Sequence, residues 1–418
     1  MGSMIVSNGR RLSGEVRVAG AKNSALKLIA AALLAPGTSR IRNVPDISDV
    51  GTMIEVVSGL GAAVQREDHC IAVDATEITS VEAPYEIVAR MRASITVLGP
   101  LLARLGCARV AMPGGCNIGS RKVDMHISGL EALGVKFLFE HGYIDASAPD
   151  GLCGANVTLE FPSVGATENT LMTAVRAEGT TVIENAAREP EIADLAVFLN
   201  SMGARVSGAG TSTMVIEGVE ALHPAEHVVL GDRIEAGTYL VAGALTGGPV
   251  TVRGVDPSHM EMVLLKLGHA GCLVEIGDDH VKITRKRPVQ SVDVQTLPYP
   301  GFPTDMQPQF MALMAIAEGD CVITENVFEN RFMFADEIIR MGADIRIEGH
   351  HALIKGVPRL SGAPVRCPDL RAGAALVLAG LVAAGRTEVV GTHHIERGYE
   401  GLIEKLTALG ADIEVREA

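Results

Sequence analysis

The chain has no tryptophan, five tyrosines and nine phenylalanines in 418 residues, while glycine occurs 46 times. That balance points to many tight turns and close backbone approaches. Positive charge is also short, with 36 Lys and Arg against 50 Asp and Glu and a formal net charge of -14. A protein whose main ligand is a nucleic-acid backbone needs a broad basic face, so this balance argues against one. Any anionic ligand must be held by a local cluster of cations. Apolar runs of the ~20 residues needed to span a membrane are missing, and Met1 to Met4 reads as a tag remnant ahead of a second start, with no signal peptide. A soluble, cytoplasmic protein with no membrane partner is expected. The seven cysteines, at 70, 107, 116, 153, 272, 321 and 367, include no C-x-x-C pair, and their odd number suits free thiols in a reducing compartment. The pairs His350-His351 and His393-His394 could be taken for metal ligands, but neighbours on a strand point to opposite faces, and no metal site is expected.

What is present is length and repetition. A chain of 418 residues that is 47% hydrophobic exceeds the ~250–300 residues at which single cores stop growing, so two domains are expected. A helix-sized apolar pattern opens at Lys22, Arg92, Gly165, Asp232, Thr304 and Asp369, at separations of 70, 73, 67, 72 and 65 residues. Such regularity marks an internal repeat. The i, i+3, i+4, i+7 face appears in Leu26, Ile29, Ala30 and Leu33, again in Phe310, Leu313, Met314 and Ala317, and again in Ala374, Val377, Leu378 and Leu381. A second, wetter helix in each unit stops at a glycine suited to a left-handed cap, in Leu60-Gly61-Ala62, Leu133-Gly134-Val135, Met202-Gly203-Ala204, Leu267-Gly268-His269, Met341-Gly342-Ala343 and Leu409-Gly410-Ala411.

Six units imply two α/β domains of three repeats each, with the apolar helices inside and a cleft between the domains as the default ligand site. The boundaries are drawn at 22–229 for one domain and 1–21 plus 230–418 for the other, with one amino-terminal strand, Ile5 to Val18, assigned to the second. The starts of the buried helices carry polar residues: Lys22-Asn23, Arg92, Ser163-Val164-Gly165, Thr304-Asp305 and Asp369-Leu370-Arg371. Helix starts expose N–H groups and partial positive charge, which favour anions. Five in register suggest a ligand site, although each alone would read as an ordinary cap.

The segment Met112-Pro113-Gly114-Gly115-Cys116-Asn117-Ile118-Gly119-Ser120-Arg121 is a glycine-punctuated loop with a thiol at its centre. A loop of this kind can close and exclude water, and nearby cations would favour the thiolate. A Cys-His-Asn hydrolase is the competing reading, but no histidine-bearing motif accompanies the cysteine.

Taken with Gly20-Ala21-Lys22-Asn23-Ser24, Met91-Arg92-Ala93-Ser94, Ser163-Val164-Gly165-Ala166-Thr167, Phe302-Pro303-Thr304-Asp305-Met306-Gln307, Glu329-Asn330-Arg331-Phe332, Asp369-Leu370-Arg371-Ala372 and His394-Ile395-Glu396-Arg397-Gly398-Tyr399, the loop resembles the UDP-N-acetylglucosamine 1-carboxyvinyltransferases of the EPSP synthase family. The likeness runs essentially from end to end, in the family's order. It implies two inside-out α/β domains, each three copies of a βαβαββ-like unit with buried helices. It also implies transfer of the enolpyruvyl group of phosphoenolpyruvate to the 3-hydroxyl of UDP-N-acetylglucosamine, the first committed step of peptidoglycan synthesis, with no metal or organic cofactor.

By the same resemblance Lys22, Arg121 and Arg397 would neutralise the phosphate, and Arg331 and Arg371 would take the carboxylate, with Asn23 completing the phosphoenolpyruvate site. Asp305 would act as base on the sugar hydroxyl, and Cys116 as the acid that protonates the methylene carbon, as the site of a covalent adduct and as the target of fosfomycin. The nucleotide sugar would meet Asn23, Arg92, Arg121, Lys122, Val123, Asp124, Met125, Ser163, Val164, Gly165, Asp305 and Val327. Asp369 would orient the arginines or serve as a cap, and Asp305 could likewise double as a cap. Two departures stand out: Lys122 where many relatives have proline, and Phe161 where some have lysine. The chain is expected to be a monomer or weak homo-oligomer. The rivals are enolpyruvylshikimate phosphate synthase, which lacks such a cysteine loop, an RNA 3′-phosphate cyclase, opposed by the net charge, and a silent UDP-sugar-binding paralogue.

Overall fold

The structure, a computed structural model, describes residues 2–88, 90–112 and 123–416. Cys116, Arg121 and Lys122 lie outside the described residues. The chain forms two compact units, one built from residues up to Ala19 together with those from Gly231 onward, the other from residues between Gly20 and Leu230. Each unit has its own aliphatic core.

Six buried helices fill the two cores, at Lys22–Ala31, Leu98–Leu105 and Val164–Ala174 in one unit, and at Arg233–Thr246, Gln307–Met314 and Leu370–Gly380 in the other. All eleven residues of Leu370–Gly380 are buried, as an all-round apolar Leu-Arg-Ala-Gly-Ala-Ala-Leu-Val-Leu-Ala-Gly sequence demands, its one arginine excepted. Small residues let these helices approach closely. A Cβ on Gly99 would lie 2.8 Å from the carbonyl oxygen of Asn169 on a neighbouring helix.

Four-stranded sheets wrap the helices, three to a unit, and every sheet follows one plan: a short edge strand parallel to its neighbour, then two antiparallel pairings. In the 20–230 unit the sheet orders are Glu226–Val228, Thr38–Arg42, Cys70–Asp74, Ala63–Glu67; then Glu82–Ala83, Cys107–Ala111, Tyr143–Ser147, Lys136–Glu140; then Asn156–Thr158, Thr180–Glu184, Thr213–Glu217, Arg205–Ser207. Alternation places Ile71 and Val73 of Cys70–Asp74 on the helices and their neighbours outward, the pattern of a half-buried antiparallel strand.

The other unit repeats the plan with strands from both ends of the chain. Gly14–Arg17 is the parallel edge beside Val250–Arg253, and Ser3–Ser7 lies in the middle of a sheet, between Arg386–Val390 and Asp412–Arg416. The expected single strand from Ile5 to Val18 is therefore two strands in two sheets, divided where Gly9 and Gly14 take positive φ. Ser3 and Met4, read as part of a tag remnant, are rungs of the first strand, with Met4 fully buried.

The outer helices end as expected at Gly61, Gly134, Gly203, Gly342 and Gly410, all with positive φ. The fourth copy differs. Glu261–His269 runs through Gly268, which keeps helical φ, and the left-handed position is Gly271, three residues later. His393 and His394 lie in the 3-10 turn Thr392–Arg397, not on a strand, and their rings face each other 4.1 Å apart. His350 and His351 likewise approach to 4.0 Å. Among the described residues no helix is long and apolar enough to cross a membrane, and no group of three His, Cys, Asp or Glu could hold a metal.

Candidate active-site clusters

In the unit carrying residues 231–416, the sequence-predicted residues converge on one carboxylate. Asp305 sits in the 3-10 turn Thr304–Met306 that opens the Gln307–Met314 helix. Its Oδ1 pairs with Arg331 Nη2 at 3.0 Å, and its Oδ2 accepts from Arg371 Nε and Nη2, each at 3.2 Å. Both guanidinium groups are buried. Capping by Asp305 is not what the turn uses, since Pro303 is the N-cap and the carboxylate is engaged by the arginines.

Arg371 is the second residue of its helix, and Asp369 Oδ1 accepts from the N–H groups of Arg371 and Ala372, at 2.9 and 3.1 Å. Of the two roles considered for Asp369, capping is the one its bonds express, and the cap fixes the backbone from which Arg371 projects. The guanidinium of Arg371 lies 5.1 Å from the centre of the Tyr399 ring. Burial alone would pull the Arg371 pKa down, but Tyr399, Asp305 and Asp232 outweigh it and push the group up, so it stays charged. Tyr399 is locked by Thr238 Oγ1 at 2.9 Å and by Gln309 Nε2 at 3.1 Å. Arg397 closes the turn just before Tyr399, half-buried, and its charge helps burial and His393 to lower the His394 pKa.

Three of these guanidinium nitrogens, Nε and Nη1 of Arg331 and Nη1 of Arg371, are buried without a hydrogen-bond partner among the described residues. Buried donors are normally satisfied, and a pair of guanidiniums with spare donors suits a further planar carboxylate.

The turn holding Asp305 is braced by a residue that sequence reasoning missed. Glu325, buried at the end of the Asp320–Thr324 strand, accepts from Thr296 Oγ1 at 2.8 Å, Thr304 Oγ1 at 2.9 Å, Val327 N at 2.8 Å and Phe328 N at 3.1 Å. One carboxylate thus sets both Thr304, beside Asp305, and Val327.

In the 20–230 unit the predicted residues among those described fall on four helix starts. Lys22 opens its helix, and its Nζ lies 2.7 Å from Asp49 Oδ2, both side chains buried. Asn23 follows, and its carbonyl oxygen accepts from Lys27 Nζ at 2.9 Å. Lys27 in turn faces the buried Glu168 at 3.3 Å. Asp49, Lys27 and Glu168 carried no sequence signal, because their partners are distant in the chain.

Arg92 opens a 3-10 turn, Arg92–Val97, that leads into Leu98–Leu105. Val123 precedes the Asp124–Ala132 helix and is buried, Asp124 is exposed and Met125 half-buried. Ser163 caps the Val164–Ala174 helix by accepting from Ala166 N at 3.3 Å. Val164 and Gly165 are half-exposed in its first turn, and Phe161 is exposed nearby in the chain. Over that turn lies the ring of His126, also missed, close enough that a Cβ on Gly165 would sit 2.9 Å from its Cε1.

Known proteins resemble this chain over nearly its whole length. The profile of the family described as EPSP synthase (3-phosphoshikimate 1-carboxyvinyltransferase) matches residues 6–406. A UDP-N-acetylglucosamine 1-carboxyvinyltransferase from Mycolicibacterium paratuberculosis is 55% identical over 410 residues, covering 98% of each chain. One of the same name from Trichlorobacter lovleyi is 51% identical over 414 residues, covering 99% of each. Among solved structures, the enolpyruvyl transferase NikO from Streptomyces tendae superposes with a TM-score of 0.88 at 30% identity, over 100% of this chain and 99% of that one. An EPSP synthase from Acinetobacter baumannii, at 18% identity and a TM-score of 0.77 over the whole of both chains, shares the fold.

Proposed function

The chain belongs to the EPSP synthase family, and from that premise we propose that it transfers the enolpyruvyl group of phosphoenolpyruvate to the 3-hydroxyl of UDP-N-acetylglucosamine, releasing phosphate as the first committed step of peptidoglycan synthesis. The observation that carries the choice of acceptor is the 51–55% identity, over nearly the whole chain, with relatives named for that reaction.

In this reading the sugar oxygen bonds to C2 of phosphoenolpyruvate, its proton passes to Asp305, and C3 takes a proton from the Cys116 thiol. The resulting tetrahedral ketal then returns a C3 proton to the Cys116 thiolate as the bond from C2 to the phosphate oxygen breaks, leaving an enol ether and inorganic phosphate. Arg331 and Arg371 hold the carboxylate, which their spare buried donors support. Lys22, Arg121 and Arg397 neutralise the phosphate as it leaves, an electrostatic contribution that grows where water is excluded. Asp305 is an aspartate with two arginine partners in this structure, so its use as a base depends on placement rather than on intrinsic strength. Asn23, Arg92, Val123, Asp124, Met125, Ser163, Val164, Gly165 and Val327, with Arg121 and Lys122, hold the nucleotide sugar.

Phosphate release from phosphoenolpyruvate, measured with UDP-N-acetylglucosamine and in parallel with shikimate 3-phosphate, tests the assignment. Turnover is expected only with the nucleotide sugar. Release with shikimate 3-phosphate alone would transfer the chain to the other acceptor, and release with neither would sink the reaction altogether.

A further inference from the structure

Asn169, on the buried Val164–Ala174 helix, makes three hydrogen bonds that leave its amide only one orientation. Gly99 N–H donates to Oδ1 at 3.0 Å, so the other atom is the NH2 group. That group donates to Ile95 O at 3.2 Å and meets His126 Nδ1 at 2.9 Å. Because it can only donate, Nδ1 of His126 must accept, and the ring proton is carried on Nε2.

The His126 ring is buried, and among the described residues no group accepts from its Nε2. Nε2 lies over the first turn of the Val164–Ala174 helix, 3.0 Å from where a Cβ on Gly165 would stand. The backbone N–H groups of that turn face the same way as the field of the helix start. Burial, with the nearby charge of Arg92, lowers the His126 pKa to about 4, so the imidazole is neutral at pH 7 and its Nε2 is a donor in one tautomer only.

We propose that Asn169 is a positioning residue of the nucleotide-sugar site: it fixes His126 as the Nε2–H tautomer, so that the ring donates to a phosphate oxygen of the nucleotide seated on the Ser163–Gly165 helix start. The proposal rests on the reading that the nucleotide binds there. A neutral donor strengthens an anion site near the charge of Arg92 without adding a buried cation, which would be costly to desolvate. It also accounts for glycine at 165, since any side chain would push the ring aside.

The tautomer is read directly by two-bond ¹H–¹⁵N correlation of the histidine rings in the full-length protein at pH 7, with His126 identified by its loss in His126→Gln. The Nε2–H pattern is expected, and an Nδ1–H pattern in the wild-type protein would overturn the proposal. Asn169→Asp replaces the donor by an acceptor and should move the proton to Nδ1. The KM for UDP-N-acetylglucosamine should then rise roughly ten- to a hundredfold, the worth of one hydrogen bond to a charged group, while the KM for phosphoenolpyruvate holds. His126→Gln, which keeps an amide donor, should retain most of the binding that His126→Leu loses. An unchanged nucleotide KM in an Asn169→Asp protein whose ring has switched tautomer refutes the proposal. If instead Gly165→Ala leaves nucleotide binding intact, the underlying placement of the nucleotide has failed.

Discussion

Glu168→Gln should change how the stability of the 20–230 unit depends on pH. Glu168 is buried, neither of its oxygens has a hydrogen bond of good geometry among the described residues, and its one close cation is Lys27 Nζ at 3.3 Å. Burial raises its pKa from 4.5 to about 7; Lys27 opposes that rise, while Glu191 and Glu189 add to it. In the folded protein the pKa lies above that of the unfolded chain. Below about pH 4.5 both states hold the proton and the stabilisation is complete. As pH rises the unfolded chain ionises first, and stability falls until the native carboxyl also ionises near 7. At 1.36 kcal/mol per pH unit, the difference between 4.5 and about 7 corresponds to roughly 3 kcal/mol. Urea unfolding followed by circular dichroism from pH 4.5 to 8 measures it as the gap between wild type and variant, in which all other carboxyl groups cancel. The gap should change by about 3 kcal/mol in favour of Glu168→Gln as pH rises, and Glu235→Gln should behave alike in the other unit, where burial likewise raises that carboxyl to about 7. A pH-independent gap for Glu168→Gln would refute the reasoning, because it would mean the buried carboxyl ionises as it does in water.

Asp305→Asn keeps the shape of the side chain but removes the charge between Arg331 and Arg371; kcat should fall by roughly 10²–10⁴-fold if the carboxylate is the base, and steady-state phosphate release checks it. Glu325→Ala deletes the acceptor of four hydrogen bonds and should cost roughly 2–4 kcal/mol in unfolding experiments, with a raised KM for the nucleotide sugar as Val327 and Thr304 come loose. Cys116→Asp should retain turnover and lose labelling by fosfomycin, read by intact-protein mass spectrometry. Cys272 and Cys321 should stay unlabelled, because burial pushes their thiols up to about 11 and about 12, and label persisting in the variant would identify another thiol.

The helix starts were legible because each couples a cap or charged residue to an apolar face: Ser163, Asp232 and Asp369 cap as their side chains suggest. Gly268 misled because Leu-Gly-His copies the stop motif of the other repeats, yet a glycine can sit inside a helix at a cost of only ~1 kcal/mol, and Gly271 supplies the left-handed turn. Charge partners were the least legible. Asp305 finds Arg371 across 66 residues of sequence, and Lys22 finds Asp49 on a neighbouring helix. No local pattern marks Asn169 and His126 as a pair, because the tautomer is set by a contact between residues from different repeats.

The central position of Ser3–Ser7 between Arg386–Val390 and Asp412–Arg416 carries a consequence for synthesis. On the ribosome the 20–230 unit holds every strand of its three sheets once Val228 has emerged, and it can fold while the remainder is being made. The other unit cannot. Its earliest strand waits, unpaired, through nearly four hundred residues of translation until its neighbours on both sides arrive. Closure of that last sheet therefore waits until Arg416 has emerged, and a short apolar strand must be kept from mispairing until then.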